Sequence, residues 1–133
     1  MIASFEEYDY CVGRGYEPLL DARLPMEHAF RVEVQKVLFG KNNARGNAKF
    51  YQWCLAKMPH ICEECGKPIE KAWAGNVSHI LTRGAYPEMA HDPRNINILC
   101  LNCHARWENG DRRNMRIWER NERTITALKE EYR

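Results

Sequence analysis

NINILCLNCH, residues 95–104, packs an asparagine, a short apolar run, a Cys-x-x-Cys pair and a histidine into one stretch. Asn95 to Leu99 reads as a strand, and the pair reads as a turn that opens a helix at about Leu101. Cys100 and Cys103 therefore stand where a strand gives way to a helix. A Cys-x-x-Cys turn aims two thiolates at one metal, and a second such pair completes a tetrahedron around zinc. The second pair is Cys62 and Cys65, in "CEECGKP". The chain has six cysteines, and its start, "MIASFEEYDYCVGRG", lacks the basic and then apolar run of a secretory signal. Metal ligation is therefore expected ahead of disulfides. Cys62, Cys65, Cys100 and Cys103 are expected to hold one zinc ion, and Cys11 and Cys54 to be buried thiols.

The 34 residues between Cys65 and Cys100 exceed the loop of about 15 to 20 residues in a simple zinc ribbon. Something larger is inserted between the knuckles. The insert begins with a strand near Ala72 to Ile80, in "GNVSHILTRG", and continues through an irregular loop holding Gly84 and Pro87. His79 thus closes a first strand, Asn95 begins a second, and His104 enters the first turn of a helix. Each has a plain structural alternative. His79 can be an ordinary strand residue, Asn95 a turn residue after "HDPR", and His104 a group that hydrogen-bonds around the zinc ligands or an alternative zinc ligand.

In this order the segment resembles the HNH endonucleases in their zinc-knuckle form. Their ββα-metal motif runs C-x-x-C, then Asp-His-Ile, then Asn five residues before a second C-x-x-C, then His. This chain reads "CEEC", "SHI", "NINILC" and "CLNCH", and the match spans residues 62–104, about a third of the chain. Within the family, "SHILTRGAYPEMAHDPRNINILC" is most similar to NinG-type phage recombination proteins. The resemblance implies an α+β fold: a ββα-metal (His-Me finger) core with a four-cysteine zinc site, flanked by N-terminal and C-terminal helices. It also implies metal-dependent hydrolysis of DNA phosphodiester bonds. His79 would be the base that activates water, His104 a ligand of a catalytic Mg2+ or Mn2+, and Asn95 the residue that orients His79 or supports the metal loop. The zinc would be structural, because a site filled by four thiolates has no open position.

The chemistry accounts for these residue types. Phosphodiester hydrolysis needs a base to take a proton from water and a cation to neutralise charge on the phosphate and the departing oxygen. A histidine, with a reference pKa of about 6.5, suits the first task. One position departs from the family pattern: Ser78 stands where the family commonly has an Asp that ligates the metal. A hydroxyl is a poor ligand for a hard divalent cation. Either another side chain supplies the ligand or the site is inactive. Glu88, His91 and Asp92, in the loop between the strands, are the candidates, with His91 favoured because the loop must return to the site at Asn95. Arg83, Arg94 and Arg106 are expected to grip phosphate.

The formal net charge of +2 hides an uneven distribution. Residues 1–40 carry four basic and seven acidic groups, residues 41–61 carry Lys41, Arg45, Lys49 and Lys57 with no acid, and the stretch from His104 on carries eight basic against six acidic. Basic segments therefore flank the middle of the chain, which suits nucleic acid. No apolar run approaches the roughly 20 residues of a membrane span, and a cytoplasmic location in a bacterial or phage-infected cell is expected.

One domain is expected, with residues 1–61 as an N-terminal arm and helices, 62–110 as the zinc-knuckle core and 111–133 as a C-terminal helix. The first 25 residues read as an irregular arm or short strands. After Pro25, Phe30, Val34, Val37 and Leu38 recur at helical intervals up to Gly40, with a strand over Arg31 to Gln35 as the competing reading. Asn47 is expected to cap a helix that Pro59 ends. Met115, Trp118, Ile125, Leu128 and Tyr132 form the buried stripe of the last helix. Two further functions compete with a nuclease: a zinc-stabilised nucleic-acid-binding module with an inactive HNH site, and a protein-interaction module using Phe5, Tyr8, Tyr10 and Tyr16.

Overall fold

The computed structural model describes residues 1–20 and 24–133. Among them the chain forms α1 (Phe5–Gly13), α2 (His28–Phe39), α3 (Ala44–Lys57), β1 (Val77–His79), β2 (Ile96–Ile98), α4 (Leu101–Glu108) and α5 (Trp118–Glu131). The two strands pair antiparallel, with Val77 opposite Ile98, Ser78 opposite Asn97 and His79 opposite Ile96. This is the expected α+β architecture, although β1 is shorter than the sequence suggests. Residues 74–76 form a 3-10 turn instead of strand.

Side chains alternate along a strand, so the hairpin has two unlike faces. Val77, Ile96 and Ile98 join Val34, Phe39 and Phe50 in the larger apolar core. Phe39 and Phe50 meet edge to face with centroids 5.0 Å apart, which locks α2 to α3. The opposite face is polar. Asn97 donates to Glu63 Oε1 at 3.1 Å and accepts from Asn121 of α5 at 2.6 Å. A second core, with Ile80, Leu99, Trp107, Met115 and Ile117 around Cys62 and Cys103, lies beneath the cysteines.

Three expectations need correction. The N-terminal arm contains α1 because Ser4 caps it, accepting from the Glu7 backbone N–H, with Glu6 and Glu7 in the first turn; residues 21–23 of that arm lie outside the described residues. In α2 the helical reading holds, but the inward face is Arg31, Val34, Gln35 and Phe39, whereas Val37 is 62% exposed. α3 starts earlier than expected, capped by Asn43 Oδ1, which accepts from Gly46 N at 2.9 Å. A Cβ on Gly46 would collide with the backbone carbonyls of Lys41 and Phe39, so only glycine lets the α2–α3 turn close this tightly.

The last helix begins at Trp118, leaving Met115 in the turn before it, where it is buried beside Ile117. Glu64, inside the first knuckle, anchors this start. Its carboxylate accepts from the backbone N–H groups of Arg116 and Ile117, both at 3.0 Å. Among the described residues no helix is long and apolar enough to cross a membrane.

Candidate active site

The four cysteines come together from two turns. In the first, Gly66 takes φ +78°, its N–H bonds to the Cys62 carbonyl at 2.9 Å, and Cys62 N–H returns to the Lys67 carbonyl at 2.9 Å. A left-handed conformation of this kind favours glycine. In the second, Cys100 precedes α4 and Cys103 lies in its first turn. All four sulfurs lie within 4.8 Å of one another, with Cys65 Sγ and Cys100 Sγ at 3.9 Å. A zinc–sulfur bond of about 2.3 Å implies tetrahedral sulfur separations of about 3.8 Å. The donor set therefore fits zinc. Burial pushes the Cys62 thiol up, but backbone N–H groups of Cys65, Cys100 and Glu64 outweigh it and favour the thiolate, while burial and the neighbouring sulfurs push Cys103 up. Thiolate is the form that binds metal.

On the apolar face of the hairpin, a cleft of about 640 Å3 opens between α3, β1, the loop after β1 and α4. His79 and His104 both line it, together with Asn47, Tyr51, Arg83 and Glu108. His79 is 8% exposed and packs at a tilt on Phe50 and edge-on to Tyr51, with each centroid 6.1 Å away. Its Nε2–H donates to the Ala90 carbonyl at 2.8 Å. That bond fixes the tautomer and leaves Nδ1 as the acceptor. Burial, helped by the nearby charges of Arg83 and His91, pushes its pKa down to about 4, so the ring is neutral at physiological pH.

His104 is oriented in the same way but through the other nitrogen. Its Nδ1–H donates to the Gly75 carbonyl at 2.8 Å, and Nε2 lies 3.3 Å from Glu108 Oε1 one helical turn on. An imidazole held by a carbonyl at one nitrogen, with a carboxylate beside the other, can offer a cation one nitrogen and one oxygen ligand. Glu108 is the residue that sequence reading missed. The available signal was the His-x-x-x-Glu spacing, which puts both groups on one helix face.

Asn95 does not touch the cleft. It is fully buried, with Nδ2 donating to the carbonyls of Leu81 at 2.8 Å and Met89 at 3.3 Å, and Oδ1 accepting from Leu81 N–H at 2.8 Å. It clamps both ends of the loop whose next carbonyl, that of Ala90, holds His79. Its side-chain amide is engaged by backbone groups of that loop. Asn95→Ala leaves buried backbone groups unpaired, and is expected to cost about 3 kcal/mol in urea unfolding. A cost under about 1 kcal/mol would mean that the loop closes without it.

The structure moves several other expected residues away from the cleft. Ser78 is 1% exposed and lies on the polar face of the hairpin, opposite Asn97, with its hydroxyl unpartnered. His79 faces the cleft, so its neighbour faces away. His91 is not a ligand there: its Nε2 lies 2.7 Å from Asn47 Oδ1, and the ring packs between Phe39 and Phe50. Asp92 is fully buried and binds Arg94 and the Tyr132 hydroxyl. Arg94 reaches from Asp92 to both carboxylate oxygens of Glu131, tying the end of α5 to the loop. Its donors are used inside the protein. Arg106 bonds Asp111 at 2.8 Å on another face of α4. Arg83 alone of the three arginines lines the cleft, with its guanidinium 5.8 Å from the Tyr51 ring centroid.

The cysteine cluster, the strand pair and the helix that carries His104 span one continuous segment, and residues 62–110 match the family model described as HNH endonuclease. The chain carries an HNH domain. No curated protein and no solved structure matches the chain. The HNH domain supports a nuclease, and its cysteine cluster supports zinc binding. α1 to α3 and α5 lie outside the matched segment, yet α3 supplies Asn47 and Tyr51 to the HNH cleft.

Proposed function

We propose that the chain is a metal-dependent endonuclease that hydrolyses DNA phosphodiester bonds. The observation that carries this reading is the shared cleft of His79 and His104, in which each ring has one nitrogen committed to a backbone carbonyl, while the other nitrogen of His104 lies beside the Glu108 carboxylate. Neutral His79 accepts a proton from water at Nδ1 as the water attacks phosphorus. Arg83, exposed at the cleft, pairs with a phosphate oxygen. His104 Nε2 and Glu108 would hold a divalent ion, since a carboxylate and an imidazole suit such a cation. When bound, Mg2+ or Mn2+ supplies positive charge to the phosphate and the departing 3′ oxygen. Among the described residues the four cysteines are the only group of three or more such side chains that could hold a metal. Phosphate oxygens and water would therefore complete the catalytic site, as they commonly do for Mg2+.

Zinc at the cysteines is structural in this reading, fixing β2 and α4 so that His104 faces His79. Residues 1–61 and 111–133 support the 62–110 core, with α3 as one wall of the cleft. Basic residues of α3, which carries no acid, favour a polyanionic partner such as DNA.

A second reading has one observation in its favour. Ser78 faces away from the cleft, so only two protein ligands remain for the ion, which suits a zinc-stabilised DNA-binding module without cleavage. Nicking of supercoiled plasmid in Mg2+ or Mn2+ separates the two. Glu108→Ala is expected to raise the ion concentration for half-maximal nicking by about 10- to 100-fold. Salt-sensitive DNA binding by wild type, with no cut product in either ion, would favour the second reading instead.

A further inference from the structure

A hollow of about 500 Å3 adjoins the cleft and shares Asn47, Tyr51, Ala74 and Arg83 with it. One wall is Trp73, which is 58% exposed. The other is α3, which presents Ala48 and the half-buried Tyr51. A large exposed aromatic is unremarkable by itself. Trp73 differs because it is fixed without being buried. Its backbone N–H donates to Asn76 Oδ1 at 3.1 Å, its carbonyl accepts from Asn76 N–H at 2.9 Å, and Asn76 Nδ2 is anchored on the Leu99 carbonyl at 3.0 Å. The indole lies so close over Gly75 that a Cβ there would collide with its ring atoms. With its backbone held and its indole against Gly75, Trp73 presents an aromatic wall open to solvent.

That wall is linked to the reaction site. Gly75, against which the indole lies, also supplies the carbonyl that orients His104. A nucleotide whose phosphate lies against His104 and Arg83 therefore has its base within reach of Trp73. A base inside continuous duplex has both faces covered by its neighbours, so only an unpaired or extruded base can use this wall. Arg83 beside Tyr51 supplies the positive charge that such a nucleotide needs at the junction.

We propose that this hollow receives an unpaired nucleobase next to the scissile phosphate, stacked on Trp73, and so directs the chain to single-stranded or locally opened DNA in preference to continuous duplex. The proposal rests on the endonuclease reading for its phosphate, and the test keeps the two apart. Binding of the full chain is measured by fluorescence anisotropy without divalent ion, using a labelled single strand, the same strand with abasic sites, and its duplex. Cleavage of the same three is then followed in Mg2+ and Mn2+.

Wild type is expected to prefer the single strand. Trp73→Ala should weaken that binding by about ten- to hundredfold, with the abasic strand and duplex little changed, and Trp73→Phe should recover most of the loss. The exposed position of Trp73 leaves these variants folded, which thermal melting checks. Base-dependent binding that needs Trp73, without any cutting, would support the stacking site while overturning the nuclease reading. Cutting with equal use of normal and abasic strands, or a Trp73→Ala variant with unchanged strand preference, would overturn the stacking site and leave the nuclease standing.

Discussion

His79→Ala is expected to reduce cleavage by about a hundred- to ten-thousandfold while leaving metal-free DNA binding within about twofold of wild type. The difference follows from the ring's position. His79 is 8% exposed, with one nitrogen held by Ala90, so it offers a single acceptor to water and little surface to DNA. The pH dependence gives a second readout. The base must be unprotonated, and burial brings its pKa down to about 4 in the free protein. Acidification should therefore leave kcat/KM unaffected by this group until the pH falls toward about 4. Bound phosphate offsets the charge of Arg83, one of the groups that lower this pKa. The acid limb of kcat, which reports the complex, should then lie above that of kcat/KM. Equal cleavage by wild type and His79→Ala would remove His79 from the reaction.

Cys103→Ser is expected to abolish zinc binding and unfold most of the chain. Structural zinc sites bind with apparent free energies of about 10–16 kcal/mol, whereas a domain's whole net stability is about 5–15 kcal/mol. The metal contribution is thus as large as everything else that remains after cancellation. Cys103 is buried in the second core with Trp107 and Ile117, so its sulfur joins the metal site to the packing that holds α4. Elemental analysis should give one zinc per wild-type chain and none for the variant, and circular dichroism should show loss of helix. Strong chelation of wild type should do the same, with zinc and not Mg2+ restoring structure. A Cys103→Ser chain with native helix content and melting temperature would show that the cysteines are dispensable.

The sequence made the centre of the fold readable because its chemistry is tied to spacing. Two Cys-x-x-Cys pairs can meet only if the segment between them folds back, and the register of His79, Asn95 and His104 then follows. Asn95 was legible as a fixed point but not as a buried clamp, since an asparagine at a strand start looks the same whether it faces solvent or three backbone groups. His91 illustrates the opposite failure. Its type and loop position suit a metal, but Asn47 and two phenylalanines from distant helices claim it, and no local pattern reveals that. Arg94 and Arg106 were misread for the same reason: their carboxylate partners, Glu131 and Asp111, are assigned by tertiary packing. α1 was missed although its Ser4 cap and acidic first turn were present, because glycines and prolines further on dominated the reading.

The two glutamates between Cys62 and Cys65 give the knuckle an additional role. Glu63 accepts from Ile98 N–H and from Arg120, and Glu64 accepts from the residues just before α5, so one short turn grips both β2 and the start of the last helix. The turn works as a latch whose closure depends on metal supply. Without zinc the latch would open, freeing the C-terminal helix and the strand pair together. Loss of metal at the knuckle would then loosen the hairpin and the last helix at once, although neither supplies a cysteine from its own interior.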